Sequence, residues 1–253
     1  KDSAVKHAYS DGFYNDRASR TAHFADRITS LLMEFFRPTS AVDLGCGVGS
    51  VLKQLHAKGC STILGVEGNW VDEKHLLIAP EQFQRADLTK PFKADRIFDL
   101  GTSFEVAEHL DLRHADTFVD SLCGLSKQIV FSAAVELQGG VHHINEQWQS
   151  WWALKFEQRG YSAFDAVRPA MWDDSSIPSW YRQNTIVYLH RSVAVPPAVA
   201  EHRVENLSLL DRVHPELFVQ KARLATTGLR SMVKRLPGAA HDSLIRRIPG
   251  LGR

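Results

Sequence analysis

Hydrophobic positions along the chain alternate between two periods. Phe24, Ile28, Leu31, Leu32 and Phe35 recur at helical spacing, Asn15 or Asp16 can cap the start, and Pro38 follows the end; the spacing predicts a helix over 16–36. The short apolar run 41–44 then reads as a buried strand. Val48, Val51, Leu52 and Leu55 return to helical spacing, with Gly59 as a stop signal. Further strands are predicted over 62–66, 83–86, 96–104 and 128–135. Between the last two come a helix around 105–109 and another that turns Ala115, Phe118, Val119 and Leu122 inward. Strands alternating with helices predict an α/β fold: a doubly wound, mostly parallel sheet covered on both faces.

From about residue 136 the pattern changes. A Gly139-Gly140 turn leads into a segment rich in His and Trp. A helix over 146–159 carries Trp148, Trp151, Trp152 and Phe156, and 161–167 and 185–189 read as the last two strands. Residues 194–216 are irregular. The expected organisation is a main domain over 1–193, with a substrate-side insertion at 136–182, and an extension over 194–253. The end of that extension, 217–253, holds eight cations against the single acid Asp242, and Leu229, Met232, Val233 and Leu236 form a narrow apolar stripe there. Two readings stand: a solvated surface helix with a ragged tail, or a peripheral contact with a membrane or polyanion.

Composition narrows the class. The 253 residues are 44% hydrophobic and 23% charged, which is ordinary for a globular protein that buries a core. The net charge of +1 excludes a chain that is a polyanion binder as a whole. Cys46, Cys60 and Cys123 form no CxxC pair, so a disulfide framework or cysteine zinc site is not expected and a reducing compartment fits. No apolar run approaches the roughly 18–20 residues that span a bilayer. Lys1-Asp2 opens no signal-peptide pattern, and the missing Met suggests a trimmed start. The expected location is the cytoplasm, with the inner membrane face open through the basic tail.

The most informative segment is Val42-Asp43-Leu44-Gly45-Cys46-Gly47-Val48-Gly49-Ser50, where a first strand should end and a helix begin. Glycines there allow a tight turn and close approach of a ligand. A dinucleotide fingerprint needs a third glycine where Ser50 stands. Asp43 would repel a pyrophosphate and attract a cation. S-adenosylmethionine (SAM) carries an ammonium and a sulfonium and no phosphate. Glu67, ending the second strand, is placed to accept two ribose hydroxyls, and Asp87, after the third, to accept the adenine amino group.

With a glycine loop and three acids at successive strand ends, the sequence resembles the class I, Rossmann-like, SAM-dependent methyltransferases over about residues 9–135. The resemblance implies a SAM site in which Asp43, Gly45, Cys46, Gly47 and Gly49 bind the methionine end. Glu67 would bind ribose, Asp87 and Leu88 would lie near adenine, and Ser103, Phe104 and Glu105 would line the pocket after the fourth strand.

Methyl transfer from a sulfonium needs alignment of the acceptor and removal of its proton. In Glu105-Val106-Ala107-Glu108-His109, positions 105, 108 and 109 would share one face of a helix and could hold a hard divalent ion such as Mg. The arrangement looks like that of metal-assisted O-methyltransferases, whose further ligand comes from the loop after strand five; here that loop supplies His142 and His143. Without metal the same pair supplies the general base. His143 leads, because Asn145 is expected to cap a helix and fix it.

Trp172 and the string Trp180-Tyr181-Arg182-Gln183-Asn184 fall in predicted loops, where rings can stack on a sugar face or a nucleobase. Together with His143-Ile144-Asn145-Glu146-Gln147-Trp148, this string resembles methyltransferases of bacterial polysaccharide clusters. The expected function is O-methylation of a sugar hydroxyl on a glycan or glycolipid. RNA 2′-O-methylation, small-molecule O- or N-methylation, and a SAM-binding module without turnover are the alternatives. A nucleic-acid partner is disfavoured because the chain outside the tail is net acidic.

Overall fold

The computed structural model describes residues 11–234, with side chains over 22–224. The part of the basic tail at 235–253 lies outside the described residues. The chain forms one compact unit up to Arg212 and a second from Val213. In the first unit the elements are α1 (Asp11–Phe36), β1 (Ser40–Leu44), α2 (Ser50–Ala57), β2 (Thr62–Glu67), β3 (Phe83–Arg85), β4 (Leu100–Phe104), α3 (Ala115–Leu125) and β5 (Gln128–Ser132). They continue with α4 (Gln149–Glu157), β6 (Tyr161–Phe164), α5 (Val167–Met171), α6 (Ser179–Asn184), β7 (Ile186–His190), α7 (Pro197–Ala200) and β8 (Arg203–Val204). The second unit holds α8 (Pro215–Lys234).

The strands join in the order β3-β2-β1-β4-β5-β7-β6-β8. β1 to β5 run parallel, whereas β7 is antiparallel to both β5 and β6, and β8 pairs antiparallel with β6. This is the Rossmann-like, mostly parallel sheet expected. The order reverses between β1 and β4, and the carboxyl ends beside such a switch point form a ligand crevice. β1 and β4 are buried at every position, as strands covered on both faces must be. One core packs Phe24, Ile28 and Leu32 of α1 with Leu52 and Leu55 of α2. The other packs Phe118, Val119 and Leu122 of α3 with Trp152 and Phe156 of α4.

Several boundaries differ from expectation. α1 begins at Asp11, ahead of the proposed cap. β4 is short because the Asp99 backbone, instead of pairing with a strand, donates its N–H to Ser40 Oγ and accepts Gln128 Nε2 on its carbonyl, and Phe98 makes only an isolated bridge to Ser126. The predicted strand 161–167 ends at Phe164, and the chain turns into α5. β8 adds an eighth strand in the stretch read as irregular.

The expected helix over 105–109 does not form. Glu105 takes a left-handed φ of 54° and only Ala107–His109 makes a single 3₁₀ turn. The reason lies across the crevice. A Cβ on Gly45 would sit 2.2 Å from a Val106 methyl, so the chain leaving β4 drops directly onto the glycine loop.

Candidate active site

Gly45, Gly47 and Gly49 all have positive φ, at 82°, 56° and 84°, so the turn from β1 into α2 requires glycine. Gly45 receives Val106, Gly49 would press a Cβ on Ile78, and a Cβ on Gly47 would meet open space. The Gly45 and Cys46 N–H groups both donate to the Val66 carbonyl, fastening the loop to β2. Glu67, at the end of β2, accepts the Gly47 N–H on Oε2 and the Gly68 N–H on Oε1, each at 2.9 Å. One carboxylate therefore ties the turns after β1 and β2 together.

Asp43 is buried in β1, opposite Thr102 of β4, whose hydroxyl donates to it at 2.9 Å. Burial pushes its carboxyl up from 3.8 to about 7; the Thr102 bond opposes this and the Glu67 charge adds to it. Asp87, after β3, accepts the Thr89 hydroxyl and N–H and lies 3.3 Å from the Lys90 ammonium. These contacts, the Thr89 hydroxyl first, hold it below the usual carboxylate range.

Two adjoining cavities open here, sharing Gly45 and Trp70 in their walls. The smaller, about 60 Å³, is lined by Asp43, Cys46, Gly47, Phe104, Phe24 and Tyr181 among others. Phe24 of α1 stacks on Tyr181 of α6 at 3.8 Å and meets Phe104 edge-on. The larger, about 490 Å³, is bounded by Glu67, Trp70, Asp87, Leu88, Glu105, His109 and His142. Among the described residues, four carboxyl groups line the two cavities and no Lys or Arg does, a lining suited to a cationic ligand and unfavourable to a phosphate. Of the expected cofactor residues, Gly49 shapes the turn without lining a cavity, and Ser103 lies fully buried in β4.

The acceptor side departs further from expectation. Glu105 lies among amides: Asn184 Nδ2 donates to Oε1 and Gln138 Nε2 to Oε2, both at 3.1 Å. Burial holds its carboxyl above the ordinary value, against these hydrogen bonds and one from Ser132. Glu105 is thereby separated from the metal-ligand set proposed for it. Glu108, His109 and His143 do come together, each offering one ligand atom, all within 4.8 Å of one another. The Glu108 carbonyl accepts the N–H groups of Ile144 and Asn145, which pins the loop after β5 to the turn after β4.

His143 Nδ1 lies 2.9 Å from Glu146 Oε1, and its Nε2 faces Glu108 Oε1 at 4.0 Å. His109 Nδ1 lies 3.2 Å from the His142 carbonyl. Carboxylates and carbonyls accept, so in both rings Nδ1 is the donor in these contacts. Gly140 has no room for a side chain: a Cβ there would lie 2.2 Å from His143 Nε2.

Asn145 does not cap a helix. It sits in the loop with its side-chain amide 3.5 Å from the Ala107 carbonyl, and α4 starts only after Trp148. In the proposed substrate-contact string, Arg182, Gln183 and Asn184 are buried, and only Tyr181 reaches a cavity. Sequence reasoning missed Trp70, Glu146 and Gln138. Glu146 carried a signal in its spacing, three residues after His143; Trp70 and Gln138 carried none.

The model of the methyltransferase domain family matches residues 16–168, and the chain belongs to that family. Its sheet and glycine loop are those of the class I, SAM-dependent enzymes, and SAM is its cofactor. Among solved structures, an O-methyltransferase family protein from Burkholderia thailandensis is 13% identical with a TM-score of 0.52, over 74% of this chain and 62% of that one. The methyltransferase domain of bacterial CtHen1-C is 20% identical with a TM-score of 0.49, over 68% and 98%. Magnesium protoporphyrin IX methyltransferase from Synechocystis PCC 6803, with bound SAM, is 15% identical with a TM-score of 0.46, over 68% and 80%. No curated protein matches the sequence.

Proposed function

We propose that the protein transfers the methyl of SAM to a hydroxyl, that of a sugar on a glycan or glycolipid. The observation that carries the reading is the gathering of Glu108, His109 and His143 beside the cavity that Glu67 and Asp87 line. An alcohol gives up its proton reluctantly near neutrality, and a positioned imidazole or a Lewis acid meets that need. His143 takes the hydroxyl proton on Nε2, and Glu146 holds Nδ1–H and stabilises the imidazolium that results. Asp43 faces the methionine ammonium, Glu67 the ribose hydroxyls and Asp87 the adenine. Alignment of donor and acceptor supplies most of the rate.

The donor set also fits a divalent ion: one carboxylate and two imidazoles whose outer nitrogens are already hydrogen-bonded. Glu108, His109 and His143 would hold it, and such an ion would lower the pKa of the acceptor hydroxyl. Glu105, kept by Asn184 and Gln138, would stay outside that set.

A ribose hydroxyl of RNA is the rival acceptor. Among the described residues neither cavity is lined by Lys or Arg, which speaks against it, since phosphate contacts supply most nucleic-acid affinity. A labelled-methyl transfer screen across glycan, RNA and quinone-precursor acceptors tests the reading. Transfer to a glycan or glycolipid that His143→Ala abolishes is the expected result. Transfer confined to RNA or to a nitrogen would overturn it.

A further inference from the structure

The four most exposed large apolar side chains among the described residues are Leu137, Val141, Ile144 and Phe218. Three stand on the loop between β5 and α4, which carries His142 and His143. The fourth stands on α8, in the other unit. We propose that this protein works at an anionic lipid bilayer with α8 as its docking helix, and that the loop 137–144 of the other unit is a separate apolar patch for lipid.

α8 has the composition of a helix that lies in a bilayer interface. Its 20 residues make about 30 Å of helix. Phe218 and Leu224 are 64% and 59% exposed, and Val219 is exposed as well. Along its sequence, Phe218, Ala222, Ala225, Leu229 and Met232 recur at intervals of four and three, the repeat of a single helical stripe. Lys221, Arg223, Arg230 and Lys234 are interspersed with them, and Glu216 is the sole acid of the helix. From 217 to 253 eight cations stand against one acid. No described helix is long and apolar enough to cross a membrane, so the contact is peripheral.

Charge selects the occupant. An apolar face alone would suit a protein groove, and cations alone would suit RNA. Both on one helix suit a surface that offers hydrocarbon and anionic headgroups together.

The loop adds an independent observation. Gln138 anchors it through its bonds to Glu105 and Asn184, and Leu137 is fixed beside that anchor at a left-handed φ of 65°. Leu137 is 87% exposed, and a buried anchor at the next residue keeps it from folding back into the core.

Sedimentation of the full-length protein with phosphatidylcholine vesicles, with and without phosphatidylglycerol, tests the proposal. Binding should appear with the anionic lipid and weaken with salt. Joint Lys221→Glu and Arg223→Glu changes should lower it at least about tenfold, as should joint Phe218→Ser and Leu224→Ser changes. Leu137→Ser with Val141→Ser and Ile144→Ser should lower it less, and unchanged circular dichroism would show each variant folded. Equal binding to both vesicle types, no binding to either, or indifference to the α8 changes would overturn the proposal. So would binding to single-stranded RNA that charge reversal removes and Phe218→Ser leaves intact. No acceptor is needed for these readouts, so their failure leaves the methyl-transfer reading where it stands.

Discussion

Glu146 accepts the Nδ1–H of His143 across 2.9 Å, and this contact decides which ring nitrogen turns toward Glu108. Partners that fix a histidine tautomer typically contribute about 10–100-fold to affinity or activity. Glu146→Gln should therefore lower kcat/KM for methyl transfer by about 10–100-fold while SAM affinity, read by calorimetry, stays within about twofold of wild type. Equal losses in both would place Glu146 in the cofactor pocket instead.

The cofactor turn has one open position. Gly47→Arg fills the space beside Asp43 with a long cation, and SAM binding should be lost in calorimetry. Gly45→Ala acts differently: its Cβ would collide with Val106 at a φ of 82°, so the cost falls on stability, on the order of 2–3 kcal/mol in urea denaturation. Undiminished SAM affinity in Gly47→Arg would refute the placement of the methionine end.

Asp43 makes ligand-free stability and SAM affinity run in opposite directions with pH. Its folded pKa of about 7 stands above the ordinary 3.8, so the folded state holds its proton more tightly than the unfolded chain. That stabilisation is complete below about pH 4 and is lost as pH rises through about 7. The cationic methionine end prefers the ionised carboxylate, so SAM should bind more tightly as pH rises through the same window. Thermal melts and calorimetry on either side of neutrality check both slopes, and Asp43→Asn should flatten them.

The amide cluster around Glu105 gives a fourth test. Asn184→Leu removes a donor 3.1 Å from a buried carboxyl and leaves that group undercompensated. The expected loss is about 1–3 kcal/mol of stability, measured by denaturant titration. Asn184→Asp should be worse, because it sets a second acid against Glu105.

Chelation addresses the ion. If Glu108, His109 and His143 hold one, exhaustive chelation should abolish transfer and Mn²⁺ should restore it, with Mn²⁺ binding itself visible by electron paramagnetic resonance. Full activity after chelation would leave His143 acting as base alone.

The glycine loop and the parallel strands around it were legible in the sequence because they are built from local signals. Gly45, Gly47 and Gly49 mark a turn whose φ values only glycine adopts readily, and Asp43, Glu67 and Asp87 lie at or near the ends of the strands that alternation alone locates. The acceptor half is held by contacts far apart in sequence. Glu108 meets His143 because its carbonyl binds the Ile144 and Asn145 amides, and Asn184 reaches Glu105 across 79 positions. Helical spacing of 105, 108 and 109 gave a false face, since the docking of Val106 on Gly45 overrides the local preference to wind. β8 spans two residues, too few for any period to register.

Gly140 bears no chemistry, yet the imidazole of His143 occupies the volume that any larger residue there would claim. A single added carbon at 140 would force that ring to shift. If His143 is the base proposed, Gly140→Ala should therefore lower methyl transfer while SAM binding persists.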